Sequence, residues 1–316
     1  MIKKIASGMI SGFFILSLFS FGRAPQKPLD GTISISGAWA LYPMVLKWAE
    51  EFKKLRPGIK IDIQAGGAGK GMADVLAGMA DLGMVSRDVN PEELKRGAFP
   101  IAVTRDAVVA TASEKNPLAP EIRAKGITRQ QFIEIWITGK ITSWGQVIGR
   151  QDKLNVHIYT RSDACGAADT WAAFLGKKQE DLGGIGVYGD PGLADAVARD
   201  PLGIGYNNVN FAYDAKTLKP VAGIVIIPID IDGNGKIEGP ENCYATRDDI
   251  TGAIAKNIYP SPPARDLYLV AKGKPANTFA VEFMRWILTE GQKFVPETGY
   301  IRLSAEKLKE GLEKIK

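Results

Sequence analysis

The chain has 316 residues, with 40 basic and 35 acidic side chains and a formal net charge of +5. At about 100 to 200 residues per domain this length predicts two domains, and the near balance of charges does not predict nucleic acid or another polyanion as a partner. Only two cysteines are present. They are too few for a disulfide framework, although one bridge between Cys165 and Cys243 stays open.

The first residues predict a secretory signal peptide at residues 1–24. Lys3 and Lys4 precede an apolar run from Met9 to Phe21, and a polar stretch with two prolines follows Ala24. This is the order of charged, apolar and small residues in a leader. No later segment reaches the roughly 20 apolar residues that a membrane-spanning helix needs. We therefore expect a protein that is exported across the cytoplasmic membrane and is periplasmic.

A strand–loop–helix pattern begins near residue 32 and occurs again near residue 60. Residues 32–36 alternate polar and apolar side chains, Gly37-Ala38 interrupts the alternation, and Pro43 opens an amphipathic helix. Residues 60–64 predict a second strand, and the glycine-rich loop 65–71 leads into a second helix. The expected buried stripes of these helices are Val45, Trp48, Ala49 and Phe52 in the first and Met72, Val75, Leu76 and Met79 in the second.

The same pattern occurs a third time, with a strand from Val156 to Thr160, a turn at residues 162–166 and a helix. Alternating strands and helices predict a largely parallel sheet, whose ligands bind beyond the carboxyl ends of the strands. Each helix N-terminus there offers unpaired N–H groups and a partial positive charge. Three such loops, with Arg161 beside the third, therefore predict an anion site.

The second loop does not match either common nucleotide motif. Gly69-Lys70-Gly71 lacks the hydroxyl residue that follows the lysine of a P-loop and binds magnesium. The spacing Gly-x-Gly-x-x-Gly does not occur from Gly66 onward. Nucleotide hydrolysis and dinucleotide binding are therefore not expected.

Short motifs in a fixed order suggest a family. They are Ser36-Gly37-Ala38, Tyr42-Pro43, Lys47-Trp48, the glycine-rich loop, residues 81–87 (DLGMVSR), residues 138–144 (TGKITSW), Arg161-Ser162-Asp163 and Gly203-Ile204-Gly205-Tyr206. Over nearly all of its mature length the chain resembles the PstS-like periplasmic binding proteins, which serve the phosphate ABC importer. The resemblance implies a type II-like α/β fold of two lobes, each with a mostly parallel sheet flanked by helices, joined by two crossing strands. It also implies an anion held between the lobes, an ABC-transporter permease as partner and a monomer.

The resemblance further implies which residues contact the anion. In the first loop the contacts fall at Leu41 and Tyr42, beside Ala40, through backbone N–H groups. The serine of the second loop falls at Gly67 or Ala68.

In the remaining loops the family's acceptor aspartate falls on Ser86, next to Arg87. The binding arginine matches Arg161, and its supporting aspartate matches Asp163. The family's Ser-Gly-Thr contacts stand here as Cys165-Gly166-Ala167.

These departures replace hydroxyl donors and one carboxylate by groups that offer mainly backbone N–H. A serine can donate as well as accept, whereas a carboxylate only accepts and repels a fully ionised anion. With Ser86 in that place we expect sulfate to be tolerated to within about a few tens-fold of phosphate. Sulfate, molybdate and tungstate are the nearest alternative ligands.

Cys165 precedes a predicted helix, where a cysteine is expected to have a lowered pKa, as catalytic thiolates do. A nucleophile also needs a base, and the only histidine, His157, lies in the preceding predicted strand. We therefore interpret Cys165 as a small residue that lines the anion site or is bridged to Cys243. Arg161 and Asp163 are expected to form an ion pair that aims the guanidinium at the ligand.

Residues 230–241 match the calcium-loop pattern D-x-D-x-N-G-x5-E in full. The residues before the loop are β-like, so a calcium ion here would be structural and not part of a sensor pair. An ordinary acidic turn is the alternative, because Asp-Gly and Asn-Gly pairs encode turns. The expected calcium ligands are Asp230, Asp232, Asn234, the carbonyl of Lys236 and Glu241.

Two predicted crossings divide the chain into lobes. Residues 104–112 predict a strand that leaves the first lobe, and residues 266–270 predict a strand that returns to it. We place lobe one at residues 29–107 and 268–316, and lobe two at residues 108–267. The helix predicted near residues 278–288 should pack on lobe one.

Three classes of function fit these observations: a solute-binding protein of an importer, a secreted phosphatase-type enzyme, and a calcium-stabilised surface or sensing protein. The enzyme would need a nucleophile with a base or a pair of metals, and the sequence contains neither pattern. The surface protein would not need three small-residue loops beside Arg161. We therefore predict a protein that is not an enzyme and needs no cofactor, and that delivers inorganic phosphate to a permease.

Overall fold

The computed structural model describes residues 31–316, so the predicted signal peptide lies outside the described residues. The strands are β1 (Gly31–Gly37), β2 (Ile59–Ala65), β3 (Leu82–Val85), β4 (Ala98–Ser113), β5 (Ile127–Thr128), β6 (His157–Arg161), β7 (Ile185–Val187), β8 (Gly203–Asn208), β9 (Ile224–Ile227), β10 (Ile229–Asp230) and β11 (Ala264–Lys272). The helices are α1 (Tyr42–Leu55), α2 (Ala68–Ala77), α3 (Pro91–Lys95), α4 (Ala119–Lys125), α5 (Arg129–Trp136), α6 (Trp144–Ile148), α7 (Gly166–Phe174), α8 (Gly189–Arg199), α9 (Val209–Ala212), α10 (Arg247–Ala255), α11 (Thr278–Leu288) and α12 (Ala305–Lys314). Short 3-10 helices occur at Trp39–Leu41, Gln179–Asp181, Gly239–Glu241 and Glu290–Phe294.

The three predicted strand–loop–helix units are β1–α1, β2–α2 and β6–α7. Met79 differs from the prediction, because it lies beyond the end of α2 and is 77% exposed. Gly78 explains the difference: its φ of +74° is left-handed and ends the helix at Ala77.

The main sheet has the order β2-β1-β3-β11-β4-β8-β6-β7, with β9 also paired to β4. Strand β1 is parallel to β2 and β3, and β6 is parallel to β7 and β8. Strands β4 and β11 are antiparallel to their neighbours. The predicted α/β fold of two mostly parallel sheets joined by crossing strands is therefore confirmed, with β4 as a member of both sheets.

Strand β4 exchanges partners halfway along its length. Residues 98–107 pair with β11, and residues 108–113 pair with β8 and β9. We propose that the lobes divide here, at 107/108. On the returning chain we propose a boundary just before Ala264 in place of 267/268, since residues 264–267 already pair with the lobe-one half of β4.

Each lobe has its own hydrophobic core. The core of lobe one is built around Trp48, Phe52 and Phe283, so α11 packs on lobe one as predicted. In lobe two the ring of Trp171 lies 5.5 Å from that of Trp136 and 5.8 Å from that of Tyr206. Such aromatic pairs contribute about 0.5–1.5 kcal/mol each beyond the burial of their area. Among residues 31–316, no helix is both long and apolar enough to cross a membrane.

Candidate functional site

The loops that follow β1, β2 and β6 meet at one place. The N–H groups of Gly66 and Gly67 donate to the carbonyl of Gly37 at 2.8 and 3.2 Å. The N–H of Gly69 donates across to the carbonyl of Ala164 at 3.1 Å. The loop after β1 therefore contacts the loop after β2, and the loop after β2 contacts the loop after β6 in lobe two. These contacts bring the starts of α1, α2 and α7 together.

Gly67 and Gly166 permit the lobes to approach so closely. Gly67 has a left-handed φ of +92°, and an added Cβ would lie 2.8 Å from the carbonyl oxygen of Ala164. At Gly166 an added Cβ would overlap both the carbonyl and the hydroxyl of Ser86. Ser86, which is 2% exposed, thus packs directly on the first residue of α7.

The first loop differs from the prediction in which N–H groups it leaves free. The N–H of Leu41 donates to the carbonyl of Ala38 at 3.2 Å, and that of Tyr42 donates to Trp39. Leu41 and Tyr42 are therefore already used inside the 3-10 turn, which argues against both as ligand donors. The N–H groups of Trp39 and Ala40 have no acceptor among residues 31–316. These two are the free donors of the loop.

At the starts of α2 and α7 the N–H groups of Ala68, Gly166 and Ala167 find no acceptor within the described part of the chain. The N–H of Cys165 is not free, since the side-chain oxygen of Gln179 accepts it at 3.1 Å. Free donors from the starts of three helices are an arrangement that binds an oxyanion. Cys165 is the one member of the predicted trio Cys165-Gly166-Ala167 without an available N–H.

Arg161 is the buried cation of the site, with a side chain that is 1% exposed. Its Nε and Nη2 donate to the two oxygens of Asp163 at 2.8 and 2.6 Å, so the predicted ion pair is present. Its Nη1 donates to Asp190 Oδ2 at 2.6 Å. Burial alone disfavours the charged guanidinium, but Asp190 and Asp163 outweigh burial and raise the pKa of Arg161 above its ordinary value.

Asp190 is a residue of the site that was not predicted from the sequence. It lies in the first turn of α8 and is 1% exposed, and its Oδ1 accepts the N–H of Asn208 at 3.1 Å. The signal available in the sequence was an acidic residue at the start of a helix that follows a strand, in Gly189-Asp190-Pro191. That signal is common on exposed helices, where the carboxylate only faces the helix dipole.

A second buried guanidinium connects β4 and β11 with α7. Arg265 of β11 donates to Asp106 of β4 at 2.9 Å and to Thr170 Oγ1 at 2.8 Å. It also donates to the carbonyl of Gly166 and to the side-chain oxygen of Asn208. Burial raises the pKa of Asp106 even though Arg265 lies beside it. Arg265 therefore fixes the start of α7 relative to β4 and β11.

Arg87 does not join the loops, in contrast to the prediction. Its Nη1 and Nη2 donate to the carboxylate of Glu93 at 2.8 and 2.7 Å, and its Nε lies 3.0 Å from Asp169 Oδ2. It lines a separate cleft of about 1050 Å³ between the lobes. Arg87 thus forms ion pairs with Glu93 of lobe one and with Asp169 of α7. These carboxylates occupy its guanidinium.

Trp39 crosses between the lobes. Its ring lies 6.4 Å from that of Phe211, edge to face, and beside Gly189, which precedes Asp190. Its buried indole N–H has no acceptor within residues 31–316. Trp39 therefore contributes a free backbone donor and a contact that exists only while the lobes are together.

Cys165 is not the activated thiol that a helix N-terminus can produce. It is 3% exposed, and burial raises its pKa to about 12 although Arg161 acts in the opposite direction. Its sulfur accepts the N–H of Ala168 at 3.4 Å. Both Cys165 and Cys243 are free thiols, and His157 pairs with Asp200 at 2.7 Å and not with sulfur.

We expect neither thiol of the folded protein to react with Ellman's reagent at about pH 8. Burial blocks access and raises the pKa of Cys165 to about 12 and that of Cys243 to about 11. Because each thiol pKa is raised above the pH of the assay, the neutral, unreactive form of each thiol prevails there. In guanidinium chloride both thiols should react, which serves as the control. Rapid labelling of one thiol in the folded protein would contradict this description of the site.

Gly166→Ala is expected to separate the lobes without unfolding them. The methyl group would overlap Ser86 across the gap, whereas the backbone of Gly166 is helical and accepts alanine. Small-angle X-ray scattering should show a larger radius of gyration than for the wild type.

Gly252→Ala is the matched control, because Gly252 is helical and has no atom within 4 Å of an added Cβ. It should leave the shape unchanged and stabilise the protein by about 0.4–1 kcal/mol. An unchanged radius of gyration for Gly166→Ala would contradict this expectation, because it would mean that Ser86 makes room for the methyl group while the lobes stay together.

The acidic loop at residues 230–241 begins at the last residue of strand β10, in agreement with the predicted β-like approach. Asp230, Asp232 and Glu241 each offer a carboxylate oxygen, and these oxygens lie within 4.8 Å of one another. The side-chain oxygen of Asn234 instead accepts the N–H of Lys236 at 2.8 Å. The structure therefore brings together three of the predicted ligands.

Two α/β lobes that share a sheet and meet over free backbone donors have the architecture of the periplasmic binding proteins. A profile of the PBP superfamily domain matches residues 22–290, and the chain belongs to that superfamily. The phosphate-binding protein PstS of Bacillus subtilis (strain 168) is 28% identical over 285 residues, which cover 90% of this chain and 84% of that protein. The phosphate-binding protein PstS of Methanocaldococcus jannaschii is 26% identical over 349 residues, which cover 92% and 87%.

A solved structure gives the same result. A Clostridium perfringens protein crystallised with bound phosphate matches with a TM-score of 0.69 and 25% identity, over 86% of this chain and all of that one. The resemblance to PstS-like proteins that the sequence motifs indicate is thereby confirmed.

Proposed function

We propose that this chain captures inorganic phosphate between its lobes and delivers it to an ABC-transporter permease. One observation carries the proposal: the free N–H groups of three helix starts meet beside Arg161, a buried arginine whose charge is held in place by carboxylates. The relatives support phosphate as the ligand, since two are phosphate-binding proteins and one was crystallised with phosphate.

The proposed mode of binding uses hydrogen bonds more than charge. Trp39 and Ala40 donate from lobe one, and Gly166 and Ala167 donate from lobe two, so a bound oxyanion bridges the lobes. Arg161 adds the N–H groups that Asp163 and Asp190 leave unused. Hydrogen bonds from several preorganised donors in a buried site are individually strong, and the ligand favours the closed form because it contacts both lobes.

A binding role, and not catalysis, fits this arrangement best. Cys165 is a neutral thiol with no imidazole beside it within the described chain, and the relatives are named as binding proteins. We further propose export by the segment 1–24, a periplasmic location and action as a monomer, all in keeping with the family. Sulfate, molybdate and tungstate remain the competing ligands, and a single titration series distinguishes them.

Isothermal titration of the purified chain with phosphate, sulfate, molybdate and tungstate tests the proposal. Phosphate should bind most tightly, and Arg161→Lys should weaken it by about 10- to 100-fold, which corresponds to the roughly 1.5–3 kcal/mol of a charge-assisted hydrogen bond. Lysine keeps a positive charge for Asp163 and Asp190 but loses the fork of N–H groups.

Arg129→Lys is the control variant, because Arg129 contacts Phe174 on the outside of lobe two. It should bind phosphate as the wild type does. Tighter binding of tungstate or molybdate than of phosphate by the wild-type chain would overturn phosphate as the ligand, and unchanged affinity in Arg161→Lys would remove Arg161 from the site.

We also propose that the acidic loop binds a structural calcium ion through Asp230, Asp232 and Glu241, with the carbonyl of Lys236 and the side chain of Asn234 completing the set. The close approach of three carboxylates favours a divalent cation. Calcium bound only to the folded loop raises the melting temperature.

At about 100-fold excess over its dissociation constant, calcium should stabilise the protein by about 2.7 kcal/mol. Asp232→Ala should abolish the shift while phosphate affinity stays the same. Magnesium at equal concentration is the control for ionic strength. An equal melting temperature with calcium and with chelator would leave residues 230–241 as an ordinary turn.

A further inference from the structure

The indole N–H of Trp39 is a buried donor that finds no acceptor in the described chain. Of the six tryptophans, three donate their indole N–H groups to backbone carbonyls at 2.9 to 3.4 Å, namely Trp48, Trp136 and Trp144. The other three, Trp39, Trp171 and Trp286, have no acceptor for this group within residues 31–316. A buried donor without an acceptor is unfavourable, so the surroundings of these three side chains are informative.

Two of the three unpaired indoles lie inside the core of a single lobe. Trp171 packs among aromatic rings of lobe two, with the ring of Phe132 at 5.0 Å. Trp286 packs in lobe one, with the ring of Phe52 at 5.5 Å. Burial of these large rings explains why both side chains stay inside although their N–H groups are unpaired. Trp39 differs, because it lies where the two lobes meet.

The indole of Trp39 faces the turn that carries the partners of Arg161. An added Cβ on Gly189 would lie 3.5 Å from both Nε1 and Cε2 of the indole. The N–H of Gly189 donates to Asp163 Oδ1 at 3.2 Å, and the next residue, Asp190, accepts from Arg161. The backbone N–H of Trp39 is unpaired as well. Trp39 therefore presents two unpaired donors at the contact between the lobes.

We propose that the indole N–H of Trp39 donates a hydrogen bond to the oxyanion held between the lobes, so that Trp39 binds the ligand through its side chain as well as its backbone. This inference rests on the proposed function. An indole offers one N–H donor and no acceptor, so it suits a ligand whose oxygens carry negative charge. It is also neutral, and it adds a hydrogen bond without disturbing the ion pairs of Arg161.

The same side chain connects ligand binding with closure of the lobes. The ring of Trp39 lies 6.2 Å from that of Tyr42 in lobe one and 6.4 Å from that of Phe211 in lobe two, both edge to face. Contacts on both sides fix the direction of the indole N–H only while the lobes are together. A donor that is oriented only in the closed form strengthens the preference of the ligand for that form.

Trp39→Phe tests the inference, because phenylalanine keeps an aromatic ring against Phe211 and removes the N–H. Isothermal titration with sodium phosphate at about pH 7 should show an affinity lower than that of the wild type by about tenfold or more, as for a lost hydrogen bond to a charged acceptor. The melting temperature without ligand should change little, since no acceptor in the described chain loses its partner.

Trp286→Phe is the matched control. It removes the same atoms and an N–H that is equally unpaired, but from the core of lobe one. It should bind phosphate as the wild type does. Its melting temperature without ligand should fall at least as far as that of Trp39→Phe, because the ring of Trp286 is more deeply packed.

Nuclear magnetic resonance of protein with ¹⁵N-labelled tryptophan distinguishes a ligand contact from a structural role. The indole signal that is missing in Trp39→Phe belongs to Trp39, and Trp39→Tyr identifies it if the phenylalanine variant does not fold. Added phosphate should move this proton downfield, and a scalar coupling across the hydrogen bond should connect it with ³¹P. The indole signal of Trp286 should show no such coupling.

The possible results separate the inference from the proposed function. If Trp39→Phe binds phosphate as tightly as the wild type, the inference is wrong. It is also wrong if the affinity falls while the indole proton of Trp39 neither moves nor couples to ³¹P, since Trp39 then only packs between the lobes. If the wild type binds no phosphate, the proposed function itself fails, which differs from phosphate binding without a contribution from the indole.

Discussion

The structure between the lobes depends on the compensation of one buried positive charge. An isolated guanidinium without water would be strongly unfavourable, so Arg161 requires acceptors, and the chain supplies Asp163 from the adjacent turn and Asp190 from the start of α8. Removing one partner of such a buried pair typically costs about 3–5 kcal/mol. The position of α8 relative to β6 is therefore set by charge as well as by packing.

That compensation extends to the crossing strands through hydrogen bonds. Asp190 accepts the backbone N–H of Asn208, whose side chain accepts from Arg265. Arg265 in turn pairs with Asp106 and holds the carbonyl of Gly166. The residues that orient the proposed ligand contacts and those that join the lobes thus form one polar network inside an otherwise apolar interior. Such networks specify a unique arrangement only when each member is satisfied.

The parts of this fold that periodicity encodes could be predicted from the sequence. The three strand–loop–helix units and helix α11 follow from alternation and from stripes at helical spacing, and the one misplaced residue, Met79, results from a left-handed glycine at position 78. The pairing of Arg161 with Asp163 was also predictable, since only Ser162 separates the partners in sequence.

The remaining details of the site depend on three-dimensional facts that spacing does not contain. Which N–H groups of the first loop are free depends on the 3-10 turn at Trp39–Leu41, which consumes those of Leu41 and Tyr42. Arg87 follows Ser86 in sequence but reaches the carboxylates of Glu93 and Asp169. Asp190 lies 29 residues from Arg161, and only the packing of α8 brings them together.

Strand β4 restricts how the two lobes can move. Because one unbroken strand carries the hydrogen-bond ladders of both sheets, sliding one lobe past the other would break many backbone hydrogen bonds at once. Bending or twisting near residues 107 and 108, where the partners change, disturbs few of them. A motion that parted the lobes would therefore turn about close to a single hinge axis, and closing would return the same donors to the same places.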